Sequence, residues 1–279
     1  MPDPQSPRPA DLNRRITSLQ NENVKFIRAL EMRKARRDTG LFVAEGASVL
    51  LSAREHGWLP RTLVLGPEAE VNTASRGLET WARAAKAEML EVAAPVLAKL
   101  AAKENPQSVM AVFEQRWVTA PEPARLAPDA LWLALEEVRD PGNLGTIIRT
   151  ADAAGVAGII LLGQTCDPYS REAVRASMGS IFAVPLVRME VQAFRALATA
   201  WTGDVVGTHL SGTLDYRKAA YREPALLVMG SEGAGLSEAS AAACKHLVRI
   251  PMAGRLDSLN LAVATALMLY EIRRPALKL

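Results

Sequence analysis

The sequence predicts an α/β protein in two parts, the second built on a parallel sheet. Short apolar runs alternate with segments of helical period along the chain. In the second half those runs are apolar almost without interruption, as in strands buried on both faces. A proline-rich stretch, VTAPEPARLAP, separates the halves and reads as a linker. With 279 residues, 49% of them hydrophobic, the chain can bury a full core and has the length for two domains.

Taken in order, ITSLQNENVKFIRALEMRKARR places Val24, Ile27, Leu30 and Ala35 on one stripe between bases, which predicts one amphipathic helix. GLFVAEG follows as a strand and ASVLLSAREHG as a helix stopped by Gly57. RTLVLG is a strand, RGLETWARAAKA and PVLAKLAA are helices, and SVMAVFEQ is a strand, giving a mixed or parallel sheet covered by helices. Beyond the linker the predicted strands are LWLALEEV, GIILL, AVPLV, DVVGTHL, ALLVMG and HLVRIP. Helices are expected around GTIIRTADAAG, SREAVRASMGS, VQAFRALATAW, LSEASAAAC and SLNLAVATALMLYEIRR. These boundaries give a tail over 1–15, a first domain over 16–117, a linker over 118–129 and a second domain over 130–279.

Charge is unevenly spread. Between Arg8 and Arg37 stand nine basic and three acidic residues, so this segment carries +6 of a chain whose net charge is +3. A basic segment on a mildly acidic body suits a protein that grips a polyanion through phosphates. Cys166 and Cys244 have no CxxC spacing, which indicates two buried thiols and neither a disulfide framework nor a metal site. No apolar run approaches the roughly 20 residues of a membrane helix, and the N-terminus lacks the apolar core of a signal peptide. A cytoplasmic protein is expected.

In a parallel sheet ligands bind beyond the carboxyl ends of the strands, and three of those loops stand out. In RDPGNLGTIIRTADAAG, Asn143 can cap the following helix, but a cap does not explain Arg149 among Ile147, Ile148 and Ala151. In MGSEGAGLS the glycines permit close approach of backbone to a ligand. A P-loop would need lysine where Leu236 stands, and a dinucleotide fingerprint would need glycine where Glu238 stands. Glu232 repels phosphate, so the ligand is cationic or at least not polyanionic. In IPMAGRLDSLNLAVATALMLYE, Asp257 or Ser258 can cap a long helix whose Leu261, Ala264, Leu267, Met268 and Ile272 form a core face or an oligomer seam.

NLGTIIRTADAAG, VMGSEGAGLS and IPMAGRLDSLNLAVATAL, in this order and with RASMGS after the first, resemble the three motifs of the SpoU/TrmH-type ribose methyltransferases of the SPOUT class. The resemblance spans Leu131 to Arg274. SLQNENVKFIRALEMRKARRDTGLFVAEG is similar to the start of the substrate-binding domain, with a fold like ribosomal protein L30e, that precedes such catalytic domains. The resemblance implies an L30e-like α/β domain, then a SPOUT domain with a parallel sheet, a C-terminal trefoil knot and a homodimer packed across that region. It implies methyl transfer from S-adenosyl-L-methionine to a ribose 2′-hydroxyl of structured RNA, either rRNA or tRNA.

Carried over by motif position, Arg149 activates or positions the hydroxyl, with Asn143, Glu232, Ser258 and Asn260 orienting it and the ribose. Thr208, His209, Leu210, Gly230, Ile250, Met252 and Leu259 surround the cofactor, with no metal required. Lys34, Arg36 and Arg37 are the expected phosphate contacts. A guanidinium stays protonated at ordinary pH, so holding the neighbouring phosphate and stabilising the developing alkoxide is the easier role for Arg149. Two alternatives stand beside this reading: an RNA-binding protein of the same fold that does not methylate, and a dinucleotide-dependent oxidoreductase, which the missing fingerprint disfavours.

Overall fold

The computed structural model describes residues 15–278 apart from 68, 70–72, 102–106 and 256–257. It divides into two compact units, one ending at Glu114 and the other beginning at Gln115.

The first unit runs α1 (Glu22–Ala29), α2 (Arg33–Thr39), β1 (Leu41–Glu45), α3 (Ala47–Glu55), β2 (Thr62–Leu65), α4 (Thr73–Ala84), β3 (Glu88–Glu91), α5 (Ala94–Ala101) and β4 (Val109–Glu114). Its sheet has the order β1-β4-β2-β3, with β4 antiparallel to β1 and β2, and β3 parallel to β2. Strand β3, EMLE, was not among the predicted strands; it is an edge strand with one buried residue, so no apolar run marks it. Val24 and Ile27 of α1 pack with Val64, Leu97 and Val112 in one core cluster. Phe42, Trp58 and Phe113 form an aromatic cluster with ring centroids 5.8–6.4 Å apart, Trp58 meeting both phenylalanines edge-to-face and the two phenylalanines tilted by 34°.

One predicted helix becomes two. Asn21 caps α1 by accepting from the amides of Asn23 and Val24. The chain then breaks at Leu30–Met32 because the Arg36 side chain turns inward. Its Nη1 donates to the carbonyls of Leu30 and Glu31 at 2.8 Å each, satisfying groups a helix end leaves without partners. Arg36 is only 4% exposed.

The second unit runs β5 (Leu131–Glu136), α6 (Pro141–Ala153), β6 (Gly158–Leu162), α7 (Arg171–Ala176), β7 (Leu186–Met189), α8 (Val191–Ala200), β8 (Val205–Thr208), β9 (Leu214–Asp215), β10 (Ala225–Met229), α9 (Glu238–Ala243), β11 (His246–Arg249) and α10 (Leu261–Arg273). Seven strands form one sheet in the order β7-β6-β5-β10-β8-β11-β9, and every pairing is parallel. β5, β6 and β10 are buried along their whole length, as continuous apolar strands require. The two-residue β9 went unpredicted because so short a segment carries no period.

The segment read as a linker, 118–129, belongs to this unit, and the division falls before it. The Val118 amide donates to the Leu186 carbonyl at 2.9 Å, and the Arg188 guanidinium lies 3.6 Å from the centre of the Trp117 ring. Ala120 and Leu126 pack on the core. Prolines suppress α-helix and ladder here, leaving one 3-10 turn over Pro123–Arg125, but the apolar side chains between them still pack on the core.

Two devices hold the helices that carry the site. Gly145 of α6 lets α7 approach so closely that a β-carbon there would lie 2.4 Å from the Ala173 carbonyl oxygen. At the far end of α10, Arg273 donates to the carbonyls of Asp129, Ala154 and Gly155 and pairs with Glu223 at 2.9 Å. The guanidinium fork thereby ties α10 to the turn after α6.

Candidate active site

The loops after β5, β8, β10 and β11 meet at the carboxyl ends of the strands. The loop after β10 is a tight hairpin: Ser231 and Gly235 exchange backbone hydrogen bonds of 3.1 Å. Gly230 makes this fold possible, because a β-carbon on it would lie 2.0 Å from the Gly235 carbonyl carbon. The loop walls a cleft of about 220 Å³. All seven residues expected around the cofactor (Thr208, His209, Leu210, Gly230, Ile250, Met252 and Leu259) line it, as do Glu232 and Ser258.

Glu232 links this loop to the one after β5. Its carboxylate accepts from the amides of Arg139 (3.3 Å) and Asp140 (3.4 Å) and from Asn143 Nδ2 (3.2 Å). Burial pushes its carboxyl upward, but the bonds from its own amide, Asn143, Arg139 and Asp140 outweigh this and hold it below the usual glutamate range. Glu232 is therefore an anion at neutral pH.

Asn143 is clamped at both ends. While its Nδ2 serves Glu232, its Oδ1 accepts from Asn260 Nδ2 at 2.9 Å. Asn260 Oδ1 in turn accepts from the amides of Ala262 and Val263 at the start of α10. A polar relay thus runs from the α10 N-terminus through Asn260, Asn143 and Glu232 to the loop after β5. Three of the five predicted catalytic residues share this relay, and Ser258 lies in the cleft beside it.

The caps differ from those expected. Asp140 caps α6, accepting from the Asn143 amide at 2.6 Å, with Pro141 in the first turn. Asn143 sits inside the helix, and this frees its carboxamide for the relay. An Asp-Pro pair at a helix start is the signal that identifies the true cap. Likewise Asn260, not Ser258, caps α10; Asp257 lies outside the described residues. The amides of Arg139 and Asp140, which hold Glu232, carry no side-chain signature and were missed.

Arg149 lies elsewhere. It is exposed on α6 and lines none of the cavities described here. One turn before it and one residue after it, Thr146 and Thr150 line a second groove of about 580 Å³ with Val263, Leu267 and Tyr270 of α10. These three apolar residues are 38–50% exposed, while Met268 and Ile272 face the core, so α10 has both a core face and an open apolar one. A third recess of about 290 Å³, lined by Arg139, Asp140 and Ser231 to Ala234, shares the glycine loop with the first cleft.

Both cysteines are partly buried, short of the full burial expected. Burial, reinforced by the charges of Glu232, Asp140 and Asp167, pushes the Cys166 thiol up to about 12, so it is no nucleophile at neutral pH. Of the expected phosphate contacts, Lys34 and Arg37 are exposed, and Arg37 pairs loosely with Asp38 at 3.3 Å. Arg36 is not available, because its guanidinium is spent on the α1–α2 turn. Among the described residues there is no cluster of three or more metal-ligating side chains, and no helix is long and apolar enough to cross a membrane.

An all-parallel sheet with a cleft at its carboxyl edge, walled by a glycine hairpin and adjoined by an Asn–Asn–Glu relay, defines a ligand-binding α/β domain. The SpoU rRNA Methylase family model matches residues 130–270, and the MRM3-like substrate binding domain matches residues 21–111. The 23S rRNA (uridine(2479)-2′-O)-methyltransferase of Streptomyces viridochromogenes is 36% identical over 94% of this chain and 92% of its own length. RlmP of Bacillus subtilis, a 23S rRNA (guanosine(2553)-2′-O)-methyltransferase, is 31% identical over 93% of this chain and 99% of its own. The crystal structure of an AdoMet-bound rRNA methyltransferase from Sinorhizobium meliloti superposes with a TM-score of 0.85 at 46% identity, covering 95% of this chain and 98% of that one. The chain belongs to the SpoU rRNA methylase family.

Proposed function

We propose that the protein transfers a methyl group from S-adenosyl-L-methionine to a ribose 2′-hydroxyl of a structured RNA, with ribosomal RNA the favoured class. The observation that carries this is the convergence of all seven expected cofactor residues with Glu232 and Ser258 on one cleft. The cleft fits the cofactor: it has apolar walls at Leu210, Met229 and Leu259 and an anionic side chain at Glu232, which suits an adenosine and a sulfonium. When bound, the cofactor supplies an activated methyl group. The protein's share of the work is alignment and charge stabilisation.

Within that share the relay has a defined part. Clamped at both ends, Asn143 keeps its carboxamide plane fixed in the second groove, which it lines with Asn260, and its remaining hydrogen and lone pair can orient a ribose. Glu232, held as an anion, fixes the glycine hairpin against the loop after β5. Arg149 serves as the cation for the phosphate beside the target and for the developing alkoxide. Its position beside the apolar groove supports a homodimer: a second copy packed on Val263, Leu267 and Tyr270 places Arg149 at the seam between protomers. The first unit supplies RNA contacts through Lys34 and Arg37. A C-terminal knot is also part of the proposal. It is supported by the placement of β10 between β5 and β8, by β11 on the far side of β8, and by the return of α10 to pack on α6.

The test is titration of the protein with S-adenosylmethionine, then transfer of labelled methyl to ribosomal RNA, with sedimentation to read the oligomer. Arg149→Ala is expected to keep the fold and cofactor affinity while abolishing transfer. Retained transfer in that variant refutes the role given to Arg149, and a wild-type protein that binds RNA but no cofactor refutes the enzymatic reading.

A further inference from the structure

Glu136, the last residue of β5, has no part in the relay, yet its environment is unusual. The residue is 4% exposed. Its Oε2 accepts from the Ser237 amide at 2.9 Å, and its Oε1 accepts from the hydroxyls of Ser237 at 2.6 Å and Ser240 at 2.9 Å. Among the described residues it has no cationic partner. A carboxylate buried without a cation is costly, and only its hydrogen bonds offset that cost. An apolar side chain would end a buried strand more cheaply. The carboxylate therefore serves something other than the core.

Its donors indicate what. Ser237 is the second residue after Gly235, which closes the glycine hairpin, and it caps α9 by accepting from the Ser240 amide at 3.2 Å. Glu136 thus grips the exit of the hairpin, while Glu232 ties the hairpin's apex to residues 139–143 just beyond Glu136. Two carboxylates of opposite direction pin one loop to one segment, and that loop is a wall of the cofactor cleft. The six-residue α9 has little stability of its own, and the clamp adds hydrogen bonds from β5 to the apolar packing of Leu236 in the core cluster that holds Trp132 and Ala134.

We propose that Glu136 is a positioning residue for methyl transfer: through Ser237 and Ser240 its buried carboxylate sets the exit of the glycine hairpin and so the shape of the cofactor cleft. This rests on the function proposed above. It deepens that function by naming a residue that touches neither cofactor nor RNA.

The experiment compares wild type, Glu136→Gln, Ser240→Ala and the double variant in the full-length chain. It reads the Kd for S-adenosylhomocysteine, kcat and KM for RNA, and the melting curve without ligand. Gln keeps the shape of the side chain but replaces one acceptor with a donor facing groups that already donate. Glu136→Gln is expected to weaken cofactor binding about tenfold and Ser240→Ala about threefold, with KM for RNA unchanged within about twofold. The double variant should fall short of the product of the two effects, because both act through one bond. A merely structural glutamate would lower the melting temperature and leave Kd at its wild-type value below the melt; that result overturns the proposal. Should Glu136→Gln fail to fold, Ser240→Ala decides, since it keeps both Ser237 bonds: a Kd equal to wild type overturns the proposal. A wild-type chain that does not bind S-adenosylhomocysteine overturns the methyltransferase reading and this inference with it.

Discussion

Gly230→Ala is the sharpest test of how the cleft is built. The added β-carbon falls 2.0 Å from the Gly235 carbonyl carbon, 2.2 Å from its oxygen and 2.2 Å from the Leu236 nitrogen, where ordinary contact begins near about 3.5 Å. The hairpin must open by about 1.5 Å to admit it. Opening breaks the two 3.1 Å bonds between Ser231 and Gly235, worth about 1 kcal/mol each, and adds overpacking of about 1–3 kcal/mol. The loop's present shape is then disfavoured by about 3–5 kcal/mol, and at 1.4 kcal/mol per tenfold, cofactor affinity falls by about a hundredfold or more. Gly233→Ala is the control, since its β-carbon meets nothing within 4 Å; its affinity stays within about threefold. Calorimetric titration with S-adenosylmethionine measures both. Binding by Gly230→Ala within threefold of wild type refutes the argument, and equal losses in the two variants show that close backbone approach is not its basis.

Arg36→Ala is expected to destabilise the first unit by about 2–4 kcal/mol, because one buried and one part-buried carbonyl lose their donor, whereas Lys34→Ala shifts the melt by less than about 0.5 kcal/mol. Filter binding at several salt concentrations should show the reverse for RNA, with Lys34→Ala reducing the salt slope by about one; equal effects on RNA from both would return Arg36 to the surface. Asn260→Asp keeps an acceptor for the α10 cap but cannot donate to Asn143, so melting should hold while turnover drops about tenfold. Asn260→Ala loses the cap as well, costing about 1 kcal/mol. Unchanged turnover in the Asp variant removes the relay from the mechanism. The Glu232 carboxyl is depressed in the folded state, so its bonds contribute above the ordinary glutamate value and are lost as pH falls through the folded one. Cofactor affinity should be flat across neutral pH and decline only below the ordinary glutamate range; a decline centred near neutrality implicates another group.

Much of this architecture is legible in the chain. Strands such as GIILL and ALLVMG announce a doubly covered parallel sheet because burial on both faces leaves no polar position to confuse the period. The glycines and polar residues of the three loops likewise mark where a ligand is met, since close approach and capping restrict residue type locally. What the sequence could not decide is which of several equivalent groups takes each job. Arg36 and Lys34 stand two residues apart, but a helix break turns one inward as a clamp and leaves the other in solvent. Asp140 and Asn143 can both cap a helix; the extended dihedrals of Asp140 before Pro141 settle it and release Asn143 for the site. Glu136 looks like the polar end of a strand until folding brings Ser237, 101 residues away, against it. Local pattern writes burial and turns into the chain, whereas hydrogen-bond partners at long sequence separation exist only once the sheet order has placed β10 beside β5.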